Sequence, residues 1–461
     1  MQRLAGRSLD DFFITYRYAA NLAAGDGFVF NPGERVYGVT EPAMVFWLAF
    51  WNRLTGVPIH WLGTVTAAVG LLATAGLMLW QGMKEQRFLA AFLGGTLVMI
   101  STFLWGIHGA GVPMVLALLT AAAVCGGERP GLAGGLASAA VCFRPDAGVG
   151  LAALGLLLWA ERKRFPWRFA LVAAAGLLAG LLASQLYFGT VVPNTLIAKR
   201  SFAAWDPAER ASGAAFWIGA VPLLRRHLGP LWVAVIAAGI AGQQSLWRHG
   251  GRPGRLLVLF GGSMAVLYPL LGVPFFAWYA VPTVTALLFG LGFAADSLAR
   301  FLTARSPRAA RLQPALAVLL LLPLAGSAVL GGWQWVTARG GLPHYESYRA
   351  AGLWIRDHTD PSAEVSAVEV GTLAYWSERH VEDLLGLVTP GALPFVAQKN
   401  LEGAFRNHPT ELLVLKPSLE GLVGPLRKKR WFRKQYAEAA RFPAGGGEDV
   451  VILRRRDRAG R

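Results

Sequence analysis

Long apolar stretches, broken at intervals by short polar ones, frame this sequence. A helix needs about 20 apolar residues to cross a bilayer. Ten segments approach or reach that length: His60–Gly82, Phe88–Gly106, Val112–Gly126, Gly131–Arg144, Ala147–Ala160, Trp167–Phe188, Gly229–Trp247, Leu256–Gly272, Phe276–Ala295 and Pro314–Val336. The three between Val112 and Ala160 are short, and two of them also suit half-helices entering from one side. The pattern predicts an α-helical polytopic membrane protein with about ten transmembrane helices.

Outside residues 60–336 the pattern changes. Tyr345–His358 has helical spacing, and Glu364–Val370 alternates polar and apolar as a strand does. Glu411–Leu415 and Val450–Leu453 read as further short strands. We therefore expect three parts: a first loop (1–59), a helix bundle (60–336) and a C-terminal α/β domain (337–461). The first forty residues lack the apolar core of a signal peptide.

Composition supports the membrane reading. Hydrophobic residues make up 54% of the chain and charged residues 15%, against about 25% charged in soluble domains. Only seven acidic residues lie between Gly56 and Val336. The net charge of +17 follows from loop charge without invoking nucleic acid. One alternating set of loops holds fourteen basic residues, among them Lys84, Arg87, Arg162, Lys163, Arg164 and Arg252. The other set holds five, Lys199, Arg200, Arg210, Arg225 and Arg226, with Arg144 at a helix end. Basic loops stay in the cytoplasm, so residues 1–59, the loop 189–228 and the tail from Thr337 are expected outside. No run interleaves basic and aromatic residues as a nucleic-acid surface does. Arg427–Lys434 and Arg454–Arg458 read as solvated faces or contacts to anionic membrane lipids. Cys125 and Cys142 fall in apolar stretches and read as small hydrophobes.

The candidate chemistry concentrates in Leu9–Pro42, LDDFFITYRYAANLAAGDGFVFNPGERVYGVTEP. It reads as a short amphipathic helix led by Asp10 and Asp11, then a Gly/Asn/Pro-rich loop from Gly25 to Gly38. Paired Asp residues at a helix start equally suit capping and the positive end of the dipole. The stretch resembles the first extracytoplasmic loop of bacterial GT-C glycosyltransferases, nearest the terminal arabinofuranosyltransferase-like branch. That branch carries DD-x-x-I-x-x-R-Y-x-x-N-L-x-x-G-x-G-F and then N-P-G-E-x-V-x-G-x-T-x-P. The matching residues include Asp10, Asp11, Arg17, Asn21, Asn31, Glu34 and Thr40. Three later stretches agree in order: FRPDAG at Phe143–Gly148, YFGTVVPNTLIAK at Tyr187–Lys199, and the segment Glu369–Leu387. The last matches E-x-G-x-x-x-Y-x-S-x-R-x-V-x-D-x-x-G-L.

The resemblance implies a GT-C-like bundle in the inner (cytoplasmic) membrane of a bacterium, with its active site facing outside. It implies transfer of a sugar, with inversion, from a polyprenyl-phosphate donor to a hydroxyl of a cell-envelope glycan or lipid acceptor. Such a displacement needs a base near the acceptor hydroxyl and positive charge on the departing phosphate. Asp10 or Asp11 is the expected base. The pair also offers the start of a divalent-metal site, although two carboxylates alone do not specify one. Lys199 and Arg144 lead the phosphate candidates, with Arg17 and Arg200 next. A charge at membrane depth is costly and usually has a task, yet Arg144 suits a structural pair with Asp146 and Lys199 an interfacial anchor equally well. Asn194 belongs to the PNT loop. His108 stands in GIHGAGVPM where relatives carry Gly-x-Glu. Trp278 and Tyr279 suit sugar or lipid stacking, or the interfacial aromatic belt.

GT-C proteins usually have a transmembrane helix before the double-Asp loop, and nine residues precede Asp10, so a start further upstream is expected. Two rival readings are a transporter or flippase of lipid-linked sugars and a catalytically inactive GT-C relative. The double-Asp loop and the α/β tail argue for the enzyme.

Overall fold

In the computed structural model the described residues are 9–107, 109–203, 214–271, 275–304, 311–337, 343–423, 426–444 and 448–456. The chain folds as two compact units. One comprises Met1–Gly63, Leu181–Glu209 and Arg339–Arg461; the other comprises Thr64–Gly180 and Arg210–Ala338.

The second unit is helical. Among the described residues five helices are long and apolar enough to cross a membrane: Ile59–Lys84, Trp167–Phe188, Gly251–Leu271, Ala277–Thr303 and Gln313–Gly331. A sixth span forms if Phe216–Leu228 and Trp232–His249, bent by 100°, count as one. Phe88–Ile100, Val112–Cys125 and Pro130–Phe143 are apolar but shorter. The described residues thus give fewer full spans than the ten expected. At 1.5 Å per residue, a 14-residue helix rises about 21 Å, short of the hydrocarbon core of roughly 30 Å. Ser101 splits the expected segment 88–106, its backbone extended and its hydroxyl accepting from Leu104 N. The helix Ala214–Leu228 lies within what the charge pattern gave as a loop. Pro222 and a terminal Arg225–Arg226–His227 shorten its apolar run below the length that signals a span.

Small residues let these helices close on one another, as lipid-embedded packing requires. A Cβ on Gly292 would lie 2.4 Å from Gly94 N, and one on Gly242 would also meet main chain, at Gly290. Helix Val281–Thr303 runs eight residues past the expected Ala295. Its buried Asp296 accepts from Arg87 at 3.0 Å, Arg300 at 2.9 Å and Gln313 at 2.6 Å, so the charge is satisfied where periodicity suggested an end.

The first unit assembles three distant stretches. Helix Asp10–Ala24 ends at Gly25, whose φ of +100° is the left-handed conformation that favours glycine. A second helix, Pro42–Thr55, starts with proline at its first position. The tail forms a five-stranded sheet: β1 (Glu364–Ala367), β2 (His380–Asp383), β3 (Leu412–Leu415), β4 (Tyr436–Phe442) and β5 (Val450–Arg455), in the order β2-β1-β3-β5-β4. β1 is parallel to β2 and β3, while β5 is antiparallel to β3 and β4. The three expected strands form within a few residues of their predicted ends. The edge strands β2 and β4 are additions, since HVED and YAEAARF are too polar to read as strands. Helix Pro343–His358 lies where helical spacing placed it. Val368, Val396, Phe405, Leu413, Phe432 and Leu453 are among the residues of one apolar core.

The amino-terminal loop docks on this tail through close backbone approach. A Cβ on Gly371 would sit 2.0 Å from the carbonyl oxygen of Asp10, so only glycine fits. Gly371→Ala is therefore expected to destabilise the fold by about 1–3 kcal/mol, the usual cost of overpacking. Gly262→Ala, in open space within a helix, is expected to leave stability unchanged or slightly raised. Thermal unfolding of the detergent-solubilised chain checks the contrast.

Candidate functional site around the paired aspartates

Adjacent positions on a helix point about 100° apart, and the two aspartates separate accordingly. Asp10 turns inward. Its carboxylate accepts from Gly371 N at 3.0 Å and Thr372 N at 2.7 Å, two amides at the start of helix Gly371–Ser377 that have no intrahelical partner. Burial, with the nearby Glu369 charge adding to it, pushes the Asp10 carboxyl up to about 6 against these hydrogen bonds. Asp11 turns outward, with 37% of its side chain exposed, and pairs with Lys199 Nζ at 3.0 Å. Lys199 is itself 34% exposed. Arg200, the next residue of helix Asn194–Ala203, is exposed.

The remaining first-loop candidates form the frame. Arg17 is buried, and its guanidinium donates to the carbonyls of Phe30 at 3.2 Å and Arg379 at 3.5 Å. Burial brings it down to about 10. Asn21 Nδ2 donates to Val29 O and Phe30 O at 3.0 and 2.8 Å. Asn31 acts as a two-way clamp on β2, accepting from Val381 N at 3.0 Å and donating to Val381 O at 3.2 Å. Glu34 is exposed and accepts from Asn31 at 3.2 Å. Thr40 is half-buried. From the PNT loop, Asn194 Nδ2 donates to the carbonyls of Gly386 at 2.5 Å and Leu387 at 3.0 Å, while its own N–H donates to Tyr37 O at 2.7 Å. Thr195 donates to Gly38 O.

Several residues of this frame were quoted in the motifs without being assigned a task. Arg379 donates to the carbonyls of Arg356 at 2.6 Å and Thr359 at 2.9 Å. Asp383 accepts from Leu385, Leu387 and Val388 amides, and burial pushes it up to about 7. Glu369 pairs with Lys416 at 2.8 Å. Tyr375 packs on Phe13 and contacts His60 Nδ1 through its hydroxyl at 3.2 Å. Glu369, Tyr375, Arg379 and Asp383 all stand in the matched segment Glu369–Leu387, which was the available signal.

The other candidates belong to the helical unit. Arg144 Nη2 pairs with Asp146 at 2.9 Å, and Tyr268 donates to the same carboxylate at 2.5 Å. Tyr279 stacks on Tyr268 with centroids 3.8 Å apart, so Tyr268 links Tyr279 to the Arg144–Asp146 pair. Trp278 is buried and stacks on Phe276 at 4.6 Å. His108 lies outside the described residues. Cys125 and Cys142 are both free thiols.

Comparison with known proteins adds three findings. A family model described as "Domain of unknown function (DUF8728)" matches residues 338–457. No curated protein matches the chain. Among solved structures, the chain is similar to ArnT from Cupriavidus metallidurans in the apo state, at 15% identity and a TM-score of 0.62, covering 98% of this chain and 95% of that one. The same protein bound to undecaprenyl phosphate gives 14% identity, the same TM-score of 0.62 and the same coverage. The archaeal oligosaccharyltransferase AglB from Archaeoglobus fulgidus, in complex with an inhibitory peptide and a dolichol-phosphate, gives 11% identity and a TM-score of 0.56, covering 96% of this chain and 70% of that one. The fold is thus the GT-C fold: a polytopic helical membrane protein with a small carboxy-terminal α/β sheet.

The Asp10 environment has a pH signature. Its carboxyl titrates near 6 when folded and near 3.9 when unfolded, so between those values the folded state alone holds the proton and stability falls as pH rises. At about 1.4 kcal/mol per unit, the loss approaches 3 kcal/mol by neutrality. Asp10→Asn lacks this term. Its melting temperature relative to the parent chain is therefore expected to improve as pH rises from 4 to 7, whereas a pH-independent difference would show that the carboxyl is not raised.

Proposed function

We propose that this chain is an inverting membrane glycosyltransferase that moves a sugar from a polyprenyl-phosphate donor to a hydroxyl acceptor. The observation that carries the proposal is the Asp11–Lys199 pair: an accessible carboxylate 3.0 Å from an accessible ammonium, held on a frame built from the motifs of Asp10–Pro42, Tyr187–Lys199 and Glu369–Leu387. The GT-C fold supports it. ArnT, with the same fold, has been seen with undecaprenyl phosphate, and AglB with a dolichol-phosphate.

In this reading the two aspartates divide the work. Asp11 is the base: it accepts the proton of the acceptor hydroxyl as that oxygen attacks the anomeric carbon from the face opposite the phosphate. The bond from the anomeric carbon to the phosphate oxygen breaks, and its electron pair leaves with the polyprenyl phosphate. Lys199 faces Asp11 at 3.0 Å and, with Arg200 beside it, supplies positive charge to the departing phosphate. Asp10 positions the helix without touching substrate. Arg17, Asn21, Asn31 and Asn194 do the same for the surrounding loops. Arg144 is engaged by Asp146 and holds a turn of the helical unit. Trp278 and Tyr279 likewise pack that unit's own aromatic cluster.

The cell-envelope acceptor, the bacterial inner membrane and a site on its outer face remain part of the proposal. So does arabinofuranose as the sugar, which rests on the first-loop motif of the arabinofuranosyltransferase-like branch.

The test is release of polyprenyl phosphate from a panel of radiolabelled polyprenyl-phosphate sugars by the chain reconstituted in vesicles. Asp11→Asn is expected to lower turnover by about 10²–10⁴, the span of a lost general base, with its melting temperature unchanged. Lys199→Gln is expected to lower it by about 10²–10³ through lost charge on the leaving group. Full turnover in Asp11→Asn would remove the base assignment. Sugar-lipid movement across the vesicle without bond cleavage would replace the enzyme with a flippase.

A further inference from the structure

A second cluster of ligand-bearing side chains lies on the β2 edge of the tail sheet, on residues that the proposed transfer does not use. His380 and Glu382 stand two positions apart on β2 and therefore face the same side of the strand. His380 Nε2 lies 3.1 Å from Glu382 Oε1 and 3.7 Å from Glu34 Oε1. One ligand atom from each of the three falls within 4.8 Å of the others. A second imidazole borders them: His408 Nε2 is 3.9 Å from Glu382 Oε1 and 3.0 Å from Glu364 Oε2. Glu364 sits opposite His380 in the parallel register of β1 and β2.

The plain reading is a group of surface ion pairs, each worth about 0–1 kcal/mol. Two features go beyond it. The first is spacing. Zinc holds imidazole nitrogen and carboxylate oxygen at about 2.0–2.2 Å in a tetrahedron, which sets neighbouring ligand atoms roughly 3.4 Å apart. The separations of 3.1 and 3.7 Å about His380 Nε2 bracket that edge. The second is rigidity. β2 is fixed to β1 by the sheet and to the first loop by the Asn31–Val381 clamp, and the same Asn31 amide holds Glu34 Oε2 at 3.2 Å. The ligands thus come from a framework that is in place before any ion arrives.

We propose that Glu34, His380 and Glu382 form a binding site for a zinc-class divalent ion, with a fourth position beside His408 open to water or to that imidazole. Two carboxylates neutralise the ion's charge, and the imidazole selects a borderline transition metal over magnesium or calcium, which prefer all-oxygen shells. Bound there, the ion staples the Asn31–Glu34 turn to β2. The inference does not rest on the glycosyltransferase reading.

The experiment is calorimetric titration of zinc chloride into the full chain in detergent, after chelator treatment and removal of any affinity tag. One equivalent is expected to bind and to raise the melting temperature, and millimolar magnesium is expected not to displace it. His380→Ala and Glu34→Gln are each expected to weaken binding at least tenfold. Glu34 is an exposed turn residue, so its variant carries the test if His380→Ala misfolds. No binding by the parent chain, or binding unchanged in Glu34→Gln, would overturn the site.

Discussion

The first unit depends on one buried interaction, the carboxylate of Asp10 capping helix Gly371–Ser377 from 361 residues away in sequence. The first amides of a helix have no internal partner, and no side chain of the local sequence caps this helix. Asp10 fills that need at the cost of burying a carboxylate, which is why it titrates near 6. The capping works only because residue 371 is glycine and lets the Asp10 main chain approach. Removing either partner would leave the double-Asp helix to its remaining contacts with the tail, Arg17 on the Arg379 carbonyl and Phe13 against Tyr375. The neighbouring Asp11, one position round the helix, is turned outward by the same docking and meets Lys199.

This arrangement gives physical content to motifs that look catalytic when read as letters. Most of their polar residues bind main chain rather than face open space. Asn31 holds β2, Asn194 holds the Gly386–Leu387 turn, Arg17 holds the Phe30 and Arg379 carbonyls, and Asp383 gathers three amides of its own turn. Each satisfies donors or acceptors that would otherwise be buried unpaired, and each such loss costs about 1–3 kcal/mol. Three stretches distant in sequence can therefore pack as one unit without stranding their polar groups. Asp11 and Lys199, each about a third exposed, are the pair on which the proposed transfer rests.

Much of the fold was legible in the chain. Hydropathy marked the long helices and α/β alternation marked the tail, because apolar length and period report burial directly. The number of spans was not legible. Apolar helices of 13 or 14 residues such as Phe88–Ile100 and Val112–Cys125 share the composition of spanning ones and differ only in length. Helix Ala214–Leu228 hid behind its proline and basic end, and edge strands β2 and β4 behind their polar residues. The division between Asp10 and Asp11 was equally hidden. Spacing says that adjacent side chains diverge, but which one turns inward is decided by Gly371 and Thr372, far along the chain. The Arg144–Asp146 pair was legible in FRPDAG, but its link to Tyr279 through Tyr268 had no signature in local sequence.

The claim that Asp10 is an anchor and Asp11 the exposed working group is tested most directly by hydrogen–deuterium exchange at the start of helix Gly371–Ser377. Those amides owe their protection to Asp10 rather than to the helix. In the parent chain and in Asp11→Ala they should exchange slowly, and in Asp10→Ala they should exchange as fast as unpaired surface amides. Equal protection in all three proteins would contradict the account, since the capping interaction would then not hold the first loop on the tail.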